Sequence, residues 1–141
     1  MSELQLDFEP RLDEALSRLI ADGVDDHNMA MTGHEVWHPV NCLLRSTKGE
    51  VMGGLLGHVW GGWLEVKSLW VAASYRGRGQ ATRLLAAAEA HAAGKGARSA
   101  TLDTHNSRAQ GLYERLGYIV IGRLEDYPPG FSKVFMRKAL V

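Results

Sequence analysis

A short run of glycine and arginine, RGRGQA at residues 76–81, carries the clearest chemistry in the sequence. It follows an apolar, strand-like segment at residues 63–71 and precedes an Ala- and Leu-rich helical segment. The first turn of a helix leaves backbone N–H groups unpaired and favours negative charge, so a loop in this place can bind phosphate. The glycines allow close backbone approach, and the arginines add donors suited to phosphate oxygens. The pattern predicts a site for a ligand that contains a pyrophosphate.

Two common nucleotide-binding motifs do not fit this run. Dinucleotide binding requires G-x-G-x-x-G, but the third glycine position is Thr82. The preceding strand is also expected in an antiparallel meander rather than in a βαβ unit. A Walker loop requires G-x-x-x-x-G-K-[ST], which the sequence does not contain. Neither type of loop is therefore predicted.

A second pattern lies downstream, at residues 102–118, with the sequence LDTHNSRAQGLYERLGY. It combines a short strand, an asparagine and a helix that ends in Tyr-x-x-x-Gly-Tyr. With this second pattern, the chain resembles the GNAT superfamily of N-acetyltransferases, because RGRGQA matches that family's [Q/R]-x-x-G-x-[G/A] signature. The resemblance covers roughly residues 50–138.

The resemblance implies a mixed α/β (α+β) fold in which residues 1–141 form a single N-acetyltransferase domain. It would have a splayed central mixed sheet of six to seven strands and about four flanking helices. The cosubstrate acetyl-CoA would lie between the strands that end at Val71 and Asp103. The resemblance assigns three groups of residues to acetyl-CoA: Leu69, Trp70 and Val71 to the pantetheine arm; Arg76, Gly77, Arg78, Gly79, Gln80, Ala81 and Thr82 to the pyrophosphate; and Asn106 and Tyr113 to the other side of the pantetheine and to the sulfur.

The resemblance also implies three catalytic roles. The Val71 N–H would stabilise the oxyanion of the tetrahedral intermediate. Tyr113 would donate a proton to the leaving thiolate, since a tyrosine is protonated at neutral pH. Glu65 lies eleven residues before Arg76, where one branch of the family carries its general base. It could instead be a solvated strand residue paired with Lys67.

These roles predict an acetyl-CoA-dependent N-acetyltransferase in which a primary amine attacks the thioester directly, in a ternary complex. The alternative is a non-catalytic CoA- or acetyl-CoA-binding sensor or interaction module with the same fold. A nucleotide-sugar or dinucleotide enzyme is a third, more distant reading. The acceptor is left open between a small-molecule amine and a protein amine, and a homodimer is a further possibility.

One competing motif is HEVWH at residues 34–38, which spells the zinc-protease signature H-E-x-x-H. Zinc binding would require both histidines on one face of a continuing helix. Gly33 precedes the segment and Pro39 follows it, and both disfavour a helix there. We therefore expect no metal. Three other histidines, His58, His91 and His105, show no ligand spacing and are expected to be surface or core residues.

Composition limits the other possibilities. The chain has 141 residues, with 16 Lys plus Arg balanced by 16 Asp plus Glu, which fits one domain. Zero net charge gives no broad positive field for nucleic acid or membrane lipid, so neither partner is expected. The single cysteine, Cys42, cannot form an internal disulfide, and the N-terminus lacks the pattern of an export signal. A cytoplasmic location is expected.

The periodicity of apolar residues predicts the elements that position these groups. The helix after the glycine run is expected to bury one face, made by Ala81, Leu84, Leu85, Ala88 and Ala92. The remaining expectations are a first strand at residues 4–8, a helix from residue 12 to near Gly23, a short helix or ordered loop over 24–38, strands at 40–45, 51–60, 63–71, 99–102, 118–121 and 131–137, and a helix at 109–116.

Overall fold

The computed structural model describes residues 3–141, which divide into a compact N-terminal unit ending at Glu35 and a second unit from Val36 to Val141. The first unit contains helix α1. The second contains six strands and two further helices. The elements are α1 Glu14–Thr32, β1 Trp37–Arg45, β2 Val51–Trp60, β3 Trp63–Val71, a 3-10 turn Ala73–Tyr75, α2 Gln80–Gly94, β4 Ser99–Thr104, α3 Ser107–Arg115, β5 Ile119–Glu125 and β6 Ser132–Ala139.

The N-terminal unit differs from the sequence prediction. Residues 4–8 form no strand, because alternation alone does not make one and the described part of this unit offers no strand to pair with. Helix α1 also continues through Gly23, since one glycine inside a long helix costs only about 1 kcal/mol. The helix ends at Gly33, which has a left-handed φ of 75° and donates its N–H to Met29.

The second unit is built on one six-stranded mixed sheet with the order β1-β2-β3-β4-β6-β5. Strands β1, β2 and β3 form the predicted antiparallel meander, β3 and β4 run parallel, and β6 pairs antiparallel with both β4 and β5. Because α2 connects the parallel strands β3 and β4, β3 also belongs to a βαβ unit, and the expectation that it would not is wrong. The sheet confirms the predicted mixed α+β class. The described residues form three α-helices where about four were expected, because residues 14–32 make one continuous helix where a helix ending near Gly23 and then a short helix or ordered loop were predicted.

Helix α2 packs on β1, β2 and β3 and forms one side of the core. The predicted face is confirmed at Leu84, Leu85, Ala88 and Ala92, which are all buried. Among the residues of the sheet, those most fully buried in the same core are Val40, Leu55, Leu64, Ala100 and Met136. This packing fixes α2 against β3, and so fixes the loop that joins them.

Polar contacts also join α2 to β6 and to the residue that precedes β5. Glu89 of α2 accepts hydrogen bonds from the Tyr118 hydroxyl at 2.8 Å and from Lys138 Nζ at 2.7 Å. Burial and the neighbouring Glu89 carboxylate together raise the pKa of Tyr118. Within residues 3–141, no helix is long and apolar enough to cross a membrane.

Candidate active site

A gap opens in the sheet between β3 and β4. The two strands pair at only three positions, Trp63–Glu65 with Ser99–Thr101, although both continue beyond them. Just past the last pair, β3 contains a bulge. The adjacent β2 residues Leu56 and Gly57 pair with Ser68 and Val66, so β3 has one extra residue between these pairs. A β-bulge bends its strand and often lies next to an active site. The bend coincides with the point where β3 leaves β4.

The register of β2 and β3 shows where the Val71 backbone points. Val71 lies opposite Gly53, and the flanking residues are hydrogen bonded, with the Ala72 N–H donating to the Met52 carbonyl at 2.7 Å. In an antiparallel ladder this pattern identifies Val71 and Gly53 as a non-hydrogen-bonded pair. The N–H and C=O of Val71 therefore point away from β2, into the gap.

The same alternation separates Leu69 from Trp70. Leu69 lies opposite Leu55, two residues along, so its backbone groups also face the gap. Trp70 lies opposite Gly54 in a hydrogen-bonded pair, so its N–H and C=O face β2. Of the three residues expected to pair with pantetheine, Leu69 and Val71 direct their backbone groups into the gap, and the register does not support pairing by the Trp70 backbone.

Arg76 is held by the strand end that precedes its loop. Its Nε donates a hydrogen bond to the Val71 carbonyl oxygen at 2.8 Å. One of the two gap-facing groups of Val71 is thereby satisfied, and the other, the N–H, remains directed at the gap. Sequence reasoning treated Arg76 only as a phosphate donor, but the structure shows that it also joins the loop to β3.

The loop itself has the geometry of an anion site. Gly77 and Gly79 have left-handed φ values of 72° and 77°, which favour glycine, and a Cβ at either position would meet nothing within 4 Å. Gly79 caps α2, and the N–H groups of the first turn, residues 80–82, have no partner within the helix. Ligand anions are stabilised at such a helix start.

A cavity of about 510 Å³ lies beside this loop. Leu69, Trp70, Arg78 and Tyr113 are not among the residues that line it. The predicted site residues that do line it are Val71, Arg76, Gly77, Gly79, Gln80, Ala81, Thr82 and Asn106. The structure thus gathers the loop, the end of β3 and the start of α3 around one space.

Three observations suit this cavity to a ligand rich in phosphate and hydrogen-bonding groups. The Gln80 side-chain oxygen is buried and has no hydrogen-bond partner in the described chain, so a donor group of a ligand could satisfy it. Arg108 and Arg115, which sequence reasoning missed, line the cavity from α3. No described residue lining it carries a carboxylate. These features fit the phosphates and amides of coenzyme A.

Asn106 lies where the cavity meets a second one. Its side-chain oxygen caps α3 by accepting from the N–H groups of Arg108 at 2.9 Å and Ala109 at 3.3 Å, which leaves its amide N–H₂ as a donor. The second cavity has a volume of about 660 Å³ and is lined by Thr104, His105 and Phe131, among others. Asn106 lines both spaces, which are therefore adjacent.

Tyr113 is buried in the core cluster, with 8% of its surface exposed. Its ring packs edge-on against Tyr118, with centroids 6.1 Å apart. Burial raises the pKa of the Tyr113 phenol above its ordinary value near 10, so the hydroxyl keeps its proton at neutral pH.

Glu65 lies at the closed end of the gap. Its carboxylate is 3.2 Å from His58 Nε2, and His58 stacks on Trp37, so its observed partner is not Lys67. Val71 is six positions beyond Glu65, which is about 17 Å along the strand once the extra residue of the bulge is discounted. Glu65 therefore cannot touch a group bound at the Val71 N–H.

The H-E-x-x-H segment is not helical. His34 and Glu35 follow the end of α1, and His38 lies in β1. Across residues 3–141, the structure shows no group of three or more His, Cys, Asp or Glu side chains placed to hold a metal ion.

Comparison with known proteins gives a consistent set of relatives. The model of the acetyltransferase (GNAT) family matches residues 4–118. A blasticidin-S acetyltransferase of Streptomyces morookaense is 43% identical over 94 residues, which cover 66% of this chain and 69% of that protein. Acetyltransferase Atu2258 of Agrobacterium fabrum is 36% identical over 126 residues, which cover 89% of this chain and 92% of that protein.

A solved structure shares the whole architecture. The crystal structure of a candidate acetyltransferase from Agrobacterium tumefaciens superposes with a TM-score of 0.87 at 34% identity, covering 96% of this chain and 99% of that one.

Proposed function

Because the chain belongs to the acetyltransferase (GNAT) family, we propose that it transfers the acetyl group of acetyl-CoA to a primary amine. The observation that carries the proposal is the gap between β3 and β4, with the Val71 N–H directed into it and the unpaired amides of residues 80–82 beside it. A thioester and a pyrophosphate joined by an extended arm match that arrangement.

The chain would bind acetyl-CoA along the gap. The first-turn amides of α2 would hold the pyrophosphate, and the backbone groups of Leu69 and Val71 would pair with the pantetheine amides. Asn106 would donate its side-chain amide from the opposite side. These contacts would put the thioester where the two cavities meet.

Catalysis would proceed by direct attack of the amine on the thioester in a ternary complex. The Val71 N–H would stabilise the negative charge that develops on the thioester oxygen. Tyr113 would donate its proton to the departing thiolate, a role consistent with a phenol whose pKa is raised by burial. Glu65 is too far from Val71 to take a proton from the amine directly and could act as general base only through a chain of water molecules.

The acceptor is proposed as an amine-bearing small molecule or a protein amine. The relative from Streptomyces morookaense is named for blasticidin S, and its identity of 43% makes this antibiotic the first acceptor to test. A wider amine panel consists of spermidine, a lysine-containing peptide and the amino acids.

The test is release of free thiol from acetyl-CoA in the presence of each amine, with mass spectrometry of the amine product. Acetylation of at least one amine, absent when CoA replaces acetyl-CoA, is the expected result. Binding of acetyl-CoA with no transfer to any amine would contradict the proposal and favour a non-catalytic CoA-binding module.

A further inference from the structure

His105 lies at the end of β4, beside the gap, and only one of its two ring nitrogens is hydrogen bonded within the residues that the structure describes. It follows the last residue of β4 and precedes Asn106. Its Nδ1 lies 2.8 Å from the Tyr127 carbonyl oxygen. A carbonyl oxygen can only accept a hydrogen bond, so Nδ1 carries a hydrogen, and in the neutral ring the lone pair is therefore on Nε2. Within the described chain, Nε2 has no hydrogen-bond partner.

The ring is held in this orientation by the loop between β5 and β6. The Tyr127 N–H donates to the Phe131 carbonyl at 3.0 Å, and the Phe131 N–H donates to the Pro128 carbonyl at 2.8 Å, so the loop is closed on itself. The Tyr127 ring also contacts the imidazole, with centroids 5.0 Å apart. The tautomer and the direction of Nε2 are therefore both set by the surrounding structure.

The position of His105 along the gap matches that of the gap-facing amides. Glu65 pairs with Thr101. Counting along both strands from that pair, and allowing for the extra residue in the β3 bulge, places Leu69 level with Thr104, the last residue of β4. His105 follows Thr104 directly and so lies near the level of the gap-facing Leu69 amide, whereas Glu65 lies about 17 Å back from Val71.

His105 also lines the cavity of about 660 Å³ that shares Asn106 with the cofactor cavity. An acceptor in this cavity would present its nitrogen to the thioester beside Asn106. We infer that the 660 Å³ cavity is the acceptor site and that His105 Nε2 is the general base of the reaction. This inference rests on the acetyl transfer proposed above.

His105 Nε2 accepts one proton from the acceptor ammonium, and the freed lone pair attacks the thioester carbon. The C–N bond forms and the C–S bond breaks. Tyr113 protonates the sulfur and recovers its proton as the nitrogen loses its second one. The products are an amide, free CoA thiol and one proton, which leaves His105 for solvent.

The test compares His105→Asn with His105→Ala, assayed by thiol release with the best amine of the panel. Asparagine can still donate to the Tyr127 carbonyl but cannot take up a proton. We expect both variants to lose about 100-fold or more in kcat, the range typical of a general base, with the acetyl-CoA Kd unchanged. His91→Asn, at an exposed position near the end of α2, is the matched control and should keep wild-type activity.

Three outcomes would overturn the inference. Full activity of His105→Asn would show that His105 only anchors the loop, most clearly if His105→Ala is inactive. Loss of activity in Glu65→Gln with His105→Asn active would assign the base to Glu65. Wild-type protein that binds acetyl-CoA but acetylates no amine would remove the proposed function itself, and the role of His105 with it.

Discussion

The Nε of Arg76 donates a hydrogen bond to the carbonyl oxygen of Val71 at 2.8 Å. This contact joins the first residue of the glycine run to the last residue of β3. Both polar backbone groups of Val71 face the gap, and Arg76 satisfies the carbonyl while leaving the N–H for a ligand. The loop that would hold the pyrophosphate and the amide that would face the thioester are thus coupled through one side chain.

Replacing Arg76 should weaken acetyl-CoA binding. Arg76→Gln removes the hydrogen bond that holds the loop against β3 before a ligand arrives, so part of the binding free energy is then used to order the loop; a cost of about 1.5 kcal/mol corresponds to roughly a 10-fold increase in Kd. Isothermal titration calorimetry would measure it. Arg98→Gln, on an exposed arginine before β4, is the control, and equal affinities for both variants would contradict the role of Arg76.

The two arginines of α3 should recognise the 3′-phosphate of coenzyme A. Arg108 and Arg115 line the cofactor cavity, are seven residues apart on one helix face, and have no ion pair within the described residues. Arg115→Gln should weaken binding of acetyl-CoA about tenfold and leave binding of acetyl-dephospho-CoA unchanged. An equal loss with both ligands would place Arg115 elsewhere on the cofactor.

Tyr113→Phe should depress turnover while sparing cofactor affinity. The substitution removes the proposed proton donor and keeps the buried ring, so kcat should fall by about 10²–10⁴ with little change in acetyl-CoA Kd. Steady-state kinetics and calorimetry separate the two quantities. Unchanged turnover would exclude Tyr113 from the mechanism.

Tyr118 should make stability depend on alkaline pH. Its pKa is raised by burial and by Glu89, so the folded state keeps a proton that the unfolded chain loses above about pH 10. The stability contributed by Tyr118 is therefore full below that pH and declines as pH rises. Urea unfolding at about pH 8 and pH 11 should show the wild type losing more stability than Tyr118→Phe, and equal losses would contradict this origin.

Much of the second unit follows from local sequence patterns. Strands β2 and β3 begin and end where predicted, because Gly61 and Gly62 separate them and their apolar runs are uninterrupted. The buried face of α2 follows from its helical spacing. The prediction for the N-terminal unit is wrong because a single glycine such as Gly23 does not have to end a helix. The alternation of Leu4, Leu6 and Phe8 does not make a strand without a partner strand.

Some features of the candidate site follow from local sequence, and others depend on how distant segments pack together. The glycine run and the capped start of α2 are local features, so sequence reasoning could identify them. The contact of Arg76 with Val71 and the presence of Arg115 in the cavity depend on how a loop folds and where α3 packs. The orientation of His105 depends on Tyr127, which is 22 residues away in the sequence, so no local pattern predicts it.

That acetyl-CoA binds beside the glycine run is tested most directly by thermal unfolding with acetyl-CoA, CoA, NAD or ATP, each at about 1 mM. A ligand at 100 times its Kd adds about 2.7 kcal/mol to the folded state. The two CoA species alone should raise Tm. The rise should shrink in Gly79→Ala, whose left-handed φ disfavours alanine, and persist in Gly94→Ala, where a Cβ meets nothing within 4 Å. No rise with the CoA species, or an equal rise with NAD, would contradict the assignment of this cavity to acetyl-CoA.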